Sequence, residues 1–359
     1  MTPTKRILLL AAVGLCFAAG GVAAQTADSA AIARARALLR ATMDSFPGLS
    51  VAVARDGKVV WAEGFGWADL EQRVPVTTGT EFRIGSISKS LTSAAVGQLV
   101  EQGKLDLDAP VQRYVPSFPV KPWPITTRLV SGHLAGIRHY KGDEFLLDRH
   151  FPSVLASLEI FKDDSLLFRP GTRFSYSSYG WNLVSAVIES ASGTDCLTSM
   201  RTRVFEPLHL AHTSADVLDS IIPGRTRYYG RSGGRWVNAP AVDNSYKWAG
   251  GGFLSTPTDL VTYGSALLSP GFLADSTLRL LFTSQRTTAG ALTGYGIGWF
   301  VATTPDGHPL YSHGGGSIGG TSFLAIYPDA RLVLAITVNE TDAPFGRLPQ
   351  QLAALFVRP

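Results

Sequence analysis

The chain of 359 residues has only two cysteines. Cys16 falls inside an apolar N-terminal run, so Cys196 is the one thiol left in the body of the protein, which excludes an intramolecular disulfide and a cysteine-based zinc site. Charge is also scarce: Asp, Glu, Lys and Arg make up 17% of the residues against 45% hydrophobic ones, a balance that excludes a disordered chain. The formal net charge is only +4, and no run of Lys and Arg exceeds two residues, so the basic stripe that nucleic-acid binding requires is missing. None of the seven histidines belongs to an H-E-x-x-H motif, and His209-x-x-His212 has no carboxylate at ligand spacing, so neither metal nor cofactor is expected. The longest apolar run, 7–19, falls short of the ~20 residues that span a bilayer. Glycine (37) and proline (21) are plentiful but aperiodic, which excludes a collagen-like repeat.

Lys5-Arg6 ahead of the apolar run, and Val22-Ala23-Ala24 behind it, have the order of a cleavable secretory signal over residues 1–24. On this reading the mature protein is periplasmic or secreted and has no stable membrane insertion.

Beyond it, an Ala-, Leu- and Arg-rich helical pattern runs from Ala27 to Phe46 and stops at Pro47-Gly48. Strands are expected over Leu49–Ala54 and Val59–Phe65, around the hairpin signal Asp56-Gly57. Near the other end, Ile297–Ala302, Ser322–Tyr327 and Leu332–Asn339 also read as strands, followed by an amphipathic helix over about 346–358. The middle alternates helical stretches with Pro/Gly loops. These patterns predict an α/β (α+β) protein: an antiparallel sheet lobe (25–85 and 290–359), flanked by the N- and C-terminal helices, with a mostly helical lobe (86–289) inserted and a cleft between the two.

Three places carry candidate chemistry. Ser86-Ile87-Ser88-Lys89 opens a helix after a short apolar run. On a helix, residues three apart share a face, so the Lys89 amine comes within reach of the Ser86 hydroxyl and, if burial neutralises it, can act as the base a nucleophilic serine needs. The alternative is an N-cap serine followed by a solvated lysine. Tyr176, in Phe174-Ser175-Tyr176-Ser177-Ser178, stands just before the next helix; it either shares a proton with Lys89 or packs as a core tyrosine with a wet tip. Ser178 is the expected cap of that helix. His313-Gly314-Gly315-Gly316 precedes a strand and forms either a glycine-lined strand edge that admits a ligand or a flexible hairpin loop. Gly315-x-Ser317-x-Gly319 imitates a nucleophile elbow, but a strand follows it where the elbow requires a helix.

In order, Ser86-x-x-Lys89, Tyr176 and His313-Gly314-Gly315 resemble the three motifs of the penicillin-recognising serine enzymes, most of all the class C β-lactamase and serine-esterase branch. The stretches 82–89, 103–108, 133–137 and 248–256 resemble that family as well, and 137–140, 160–164 and 243–248 resemble the mitochondrial serine β-lactamase-like proteins of animals within it. The resemblance implies the following roles. Ser86 is the acylated nucleophile, and Lys89 and Tyr176 carry its proton. The N–H groups of Ser86 and Gly316 form an oxyanion hole. Ser178, His313, Gly314 and Gly315 contact substrate. Ser178 and His313 stand where the family usually has Asn and Lys, which points away from efficient β-lactam turnover. The expected function is hydrolysis of a small-molecule or peptide substrate, an ester or amide, through an acyl-enzyme. The alternative is a non-catalytic scaffold or ligand sensor that keeps the pocket. The resemblance also implies a capacity to form homo-oligomers.

Overall fold

A computed structural model describes residues 28–357 of the chain. Seven strands form one antiparallel sheet in the order Val74–Pro75, Lys58–Asp69, Gly48–Arg55, Leu332–Val338, Gly320–Tyr327, Pro309–Ser317, Phe300–Thr303. The two ends of the chain meet at its centre, where Leu49 lies opposite Val338 and Arg55 opposite Leu332. The hairpin joining the first two strands turns at Asp56 and Gly57, with φ of 51° and 77°, as a primed turn requires.

Alternation along the central strands sends their side chains to two cores. Val51, Val53, Leu334 and Ile336 pack with Ala35 and Leu39 of the helix covering 28–42 and with Leu352 and Phe356 of the C-terminal helix Leu348–Phe356. Ala52, Ala54, Val333 and Ala335 face the other way, into a larger core shared with the helical part of the chain. Buried on both faces, Gly48–Arg55 reads as an almost unbroken apolar run.

The helix Ile87–Glu101 crosses the centre of that larger core and is buried at every position from Ile87 to Gly97. Its polar side chains are satisfied inside: Ser90 Oγ donates to the Gly298 carbonyl at 2.7 Å, and Ser93 Oγ accepts from Trp299 Nε1 at 3.1 Å. A second, small sheet of Phe82–Arg83, Phe253–Ser255 and Ser214–Ala215 leads the chain into this helix. No helix among the described residues is long and apolar enough to cross a membrane. Residues 1–24, on which the signal-peptide expectation rests, lie outside the described residues.

Candidate active site

The run from Arg83 to Ser86 passes directly against the strand Pro309–Ser317. A Cβ added to Gly315 would lie 2.0 Å from the Ile84 carbonyl oxygen, and one on Gly320 would lie 2.5 Å from that of Arg83. Ser322 Oγ donates to the Ile84 carbonyl at 2.8 Å and locks this contact. The glycine run therefore differs from the flexible loop weighed above: His313 to Ser317 are ladder residues, paired with Leu324 to Gly320, and the missing side chains let two backbones touch.

Ser86 opens the helix without capping it. Its backbone is already helical (φ −66°, ψ −7°) and its side chain makes no cap bond. Instead its Oγ accepts from Lys89 Nζ at 2.8 Å, as spacing on one helix face predicts. Lys89 also donates to Ser178 Oγ at 3.1 Å and to the Gly250 carbonyl at 2.5 Å, and it is fully buried, unlike a solvated helix lysine. Burial, reinforced by the charge of Lys247, holds its amine well below the ordinary lysine range. The Tyr176 ring lies 4.9 Å from the amine, and burial pushes its phenol up, against the contact of its hydroxyl with Ser86.

Ser177, not Ser178, caps the helix Ser178–Ser192: its Oγ accepts from the Gly180 N–H at 3.1 Å. Ser178 is thereby released to face Lys89. The backbone N–H groups of Ser177 and Ser178 are bound by imidazoles instead, donating at 3.1 Å to Nδ1 of His133 and of His139. Both rings are held neutral, His139 at about 4 and His133 well below its ordinary value, by burial and by the nearby Lys89 charge.

A cavity of about 300 Å³ brings together Ser86, Tyr176, Ser178 and Gly316 of the expected residues, with Lys89 beneath them. His313, Gly314 and Gly315 are not on its wall. On a strand, successive residues face opposite ways, so His313 and Gly315 lie on the face opposite Gly316. The His313 imidazole is buried: Nδ1–H donates to the Gly314 carbonyl at 2.6 Å and Nε2 accepts from the Tyr295 hydroxyl at 2.9 Å. Burial takes its pKa down to about 3, so it is no cation for a substrate carboxylate at any ordinary pH.

Sequence reasoning assigned no role to four further side chains on the cavity wall, those of His139, Tyr140, Phe145 and Lys247, nor to Gly250 and Gly251. The first two and Lys247 lie within stretches already noted for their resemblance, which was the only signal available. Arg138 explains how the segment 139–145 is held over the cavity. Its guanidinium bonds Glu144 at 2.6 and 2.9 Å, Asp164, and the Ile160 carbonyl at 3.0 Å, while Glu144 also accepts from the Tyr179 hydroxyl at 2.9 Å. Lys247, at the end of a turn of 3-10 helix over Asn244–Lys247, points its amine at the Phe145 ring, 4.6 Å from the centroid. No group of three or more His, Cys, Asp and Glu side chains converges as a metal site among the described residues.

The Beta-lactamase family model matches residues 35–357. The chain belongs to that family. It is 34% identical to the human serine beta-lactamase-like protein LACTB, mitochondrial, over 88% of this chain and 75% of that protein. It is 28% identical to a D-aminopeptidase of Gluconobacter oxydans, over 86% of this chain and 58% of the relative. Among solved structures, an octameric penicillin-binding protein homologue from Pyrococcus abyssi superposes with a TM-score of 0.79 at 26% identity, covering 90% of this chain and 77% of that one. These relatives correct one expectation. Those at 34% identity, from human, cattle and mouse, are mitochondrial, which overturns the periplasmic or secreted reading. A basic and then apolar leader is a compositional address read by a receptor, and composition alone does not determine its destination.

Proposed function

We propose that this member of the beta-lactamase family hydrolyses an ester or amide through an acyl-enzyme on Ser86, in a cleft between a sheet lobe (25–85 and 290–359) and a helical lobe (86–289). The observation that carries this reading is the fully buried Lys89 amine, 2.8 Å from Ser86 Oγ and depressed by burial. The opposite shifts of its two neighbours divide the labour. Lys89, held low, is the group that loses its proton readily and so serves as the base; Tyr176, held high, stays a neutral phenol that passes protons on.

Ser86 Oγ attacks the substrate carbonyl carbon as its proton moves to Lys89. The negative oxygen of the tetrahedral intermediate is met by the N–H groups of Ser86 and Gly316, two residues that line the same cavity. Collapse breaks the bond to the leaving group, which takes the proton through Tyr176 and departs, leaving an acyl ester on Ser86. Water then repeats the sequence against that ester and restores the serine. β-Lactams are expected to be poor substrates, because the buried, neutral His313 supplies no positive charge at the strand position where the family usually carries its lysine. Assembly of several copies is also part of this reading, supported by the octameric relative, and sedimentation velocity measures it.

The test is intact-mass analysis after incubation with a fluorophosphonate, together with turnover of a 4-nitrophenyl ester. A single adduct on the wild type, none on Ser86→Ala, and steady ester turnover are expected. An adduct without turnover would favour the ligand-sensor reading, and no adduct at all would overturn the acyl-enzyme and favour a non-catalytic scaffold.

A further inference from the structure

Five cationic side chains are buried among the described residues: Arg55, Arg83, Lys89, Arg138 and Lys247. Arg55 pairs with Asp28, Arg83 with Asp216, and Arg138 with Glu144 and Asp164. Lys89 donates to three oxygens. Lys247 alone has neither an ion pair nor a hydrogen bond from its amine among the described residues, only the faces of Phe145 and Tyr246 at 4.6 and 5.1 Å. The carboxylate whose charge reaches it, Asp216, is already taken by Arg83 at 2.6 Å, Arg225 at 3.2 Å and Asn244 at 2.7 Å. Buried charges are ordinarily paired, because an unpaired one forfeits its hydration without compensation. This amine lies on the wall of the same cavity as Ser86.

We propose that Lys247 is the anion-recognising residue of the site, and that the substrate is an ester or peptide bearing a carboxylate that completes this unpaired amine. The inference rests on the hydrolytic reading above and names its substrate class. A carboxylate suits the place better than a bulkier, multiply charged phosphate, since the cavity is only about 300 Å³ and offers one free ammonium beside aromatic rings. Burial and the neighbouring Arg83 hold the free amine down to about 7, and an arriving carboxylate restores its charged form. The site thus carries its cation on the turn Asn244–Lys247 rather than on the strand bearing His313.

The experiment compares the 4-nitrophenyl monoesters of adipic and suberic acid with 4-nitrophenyl heptanoate, on wild type and Lys247→Met. This substitution keeps most of the side chain's length and removes a buried charge, so the fold is expected to survive. The ratio of kcat/KM for the better acidic ester over the neutral one should fall by about 10- to 100-fold in Lys247→Met, the range lost with a charge-assisted contact. An unchanged ratio overturns the proposal. If the wild type turns over none of these esters, the hydrolytic reading has failed, and the anion site is read by binding instead. Adipate should then raise the thermal midpoint of the wild type and not that of Lys247→Met; equal responses of the two proteins overturn it.

Discussion

Gly85 and Gly316 touch backbone to backbone: a Cβ on Gly85 would lie 2.5 Å from the Gly316 carbonyl oxygen, and Gly85 itself has φ of 47°. This contact sets the N–H of the serine beside the strand edge. Gly85→Ala meets both a backbone clash and an unfavourable φ, so it is expected to cost more than about 1 kcal/mol and to lower the thermal midpoint by several degrees. Its fluorophosphonate labelling should slow by at least tenfold. An alanine at Gly316 would meet nothing within 4 Å, and Gly316→Ala should leave the midpoint almost unmoved. Equal midpoint losses in the two variants would show that the contact is not what positions Ser86.

Because the Ser86 hydroxyl makes no cap bond, Ser86→Ala should abolish labelling while lowering stability by less than the ~0.5–2 kcal/mol that a lost cap costs. Lys89→Met, Tyr176→Phe and the double variant should each lose rate, by about 100-fold or more for Lys89→Met, with the double variant little worse than Lys89→Met alone. Losses that add in log kcat/KM would show that the two groups work independently.

The pH dependence follows from Lys89. Ester hydrolysis needs its neutral form, so the rate should be flat at alkaline pH and fall as pH drops through its lowered pKa. The charge of Lys247 helps to hold that pKa down, so Lys247→Met should shift the acid limb of kcat/KM to higher pH. A limb that stays in place would show that the two amines are not coupled.

Stability should depend on Lys247 as well. Its pKa falls from 10.5 to about 7 on folding, so between those values the unfolded chain holds a proton that the folded one lacks. The resulting penalty is absent above about pH 10.5 and grows as pH falls towards 7. Lys247→Met should therefore melt higher than wild type at pH 7.5, with the gain shrinking towards pH 10; a gain independent of pH would be a packing effect only.

His313→Leu removes the acceptor of the buried Tyr295 hydroxyl and should cost about 1–3 kcal/mol. Lowering the pH from 6 to 5 should not improve β-lactam hydrolysis, since His313 stays neutral until about 3. An increase in cephalosporin turnover over that interval, with Lys247 already charged, would show that the imidazole does reach substrate.

Local pattern determined a good deal of this protein. Asp56-Gly57 marked a hairpin because two successive positive φ values favour those residues, and short apolar runs marked the central strands. The serine–lysine contact followed from helical spacing alone. All of these act within a few residues along the chain. Tertiary structure decided the rest. Whether Lys89 is solvated or dry depends on Gly250 and Ser178, which lie far from it in sequence. His313 turned away from the cavity because the glycine run continues the ladder, and pairing with the strand Gly320–Tyr327 determines which face each residue takes. Ser177 took the cap and left Ser178 to the lysine, a choice of one residue that depends on where Arg138 and His139 bring their segment. Lys247 looked like any other lysine in the sequence. Only the fold, by giving Asp216 to Arg83, left it buried without a counter-charge, because whether a charge is paired depends on which distant groups are packed beside it.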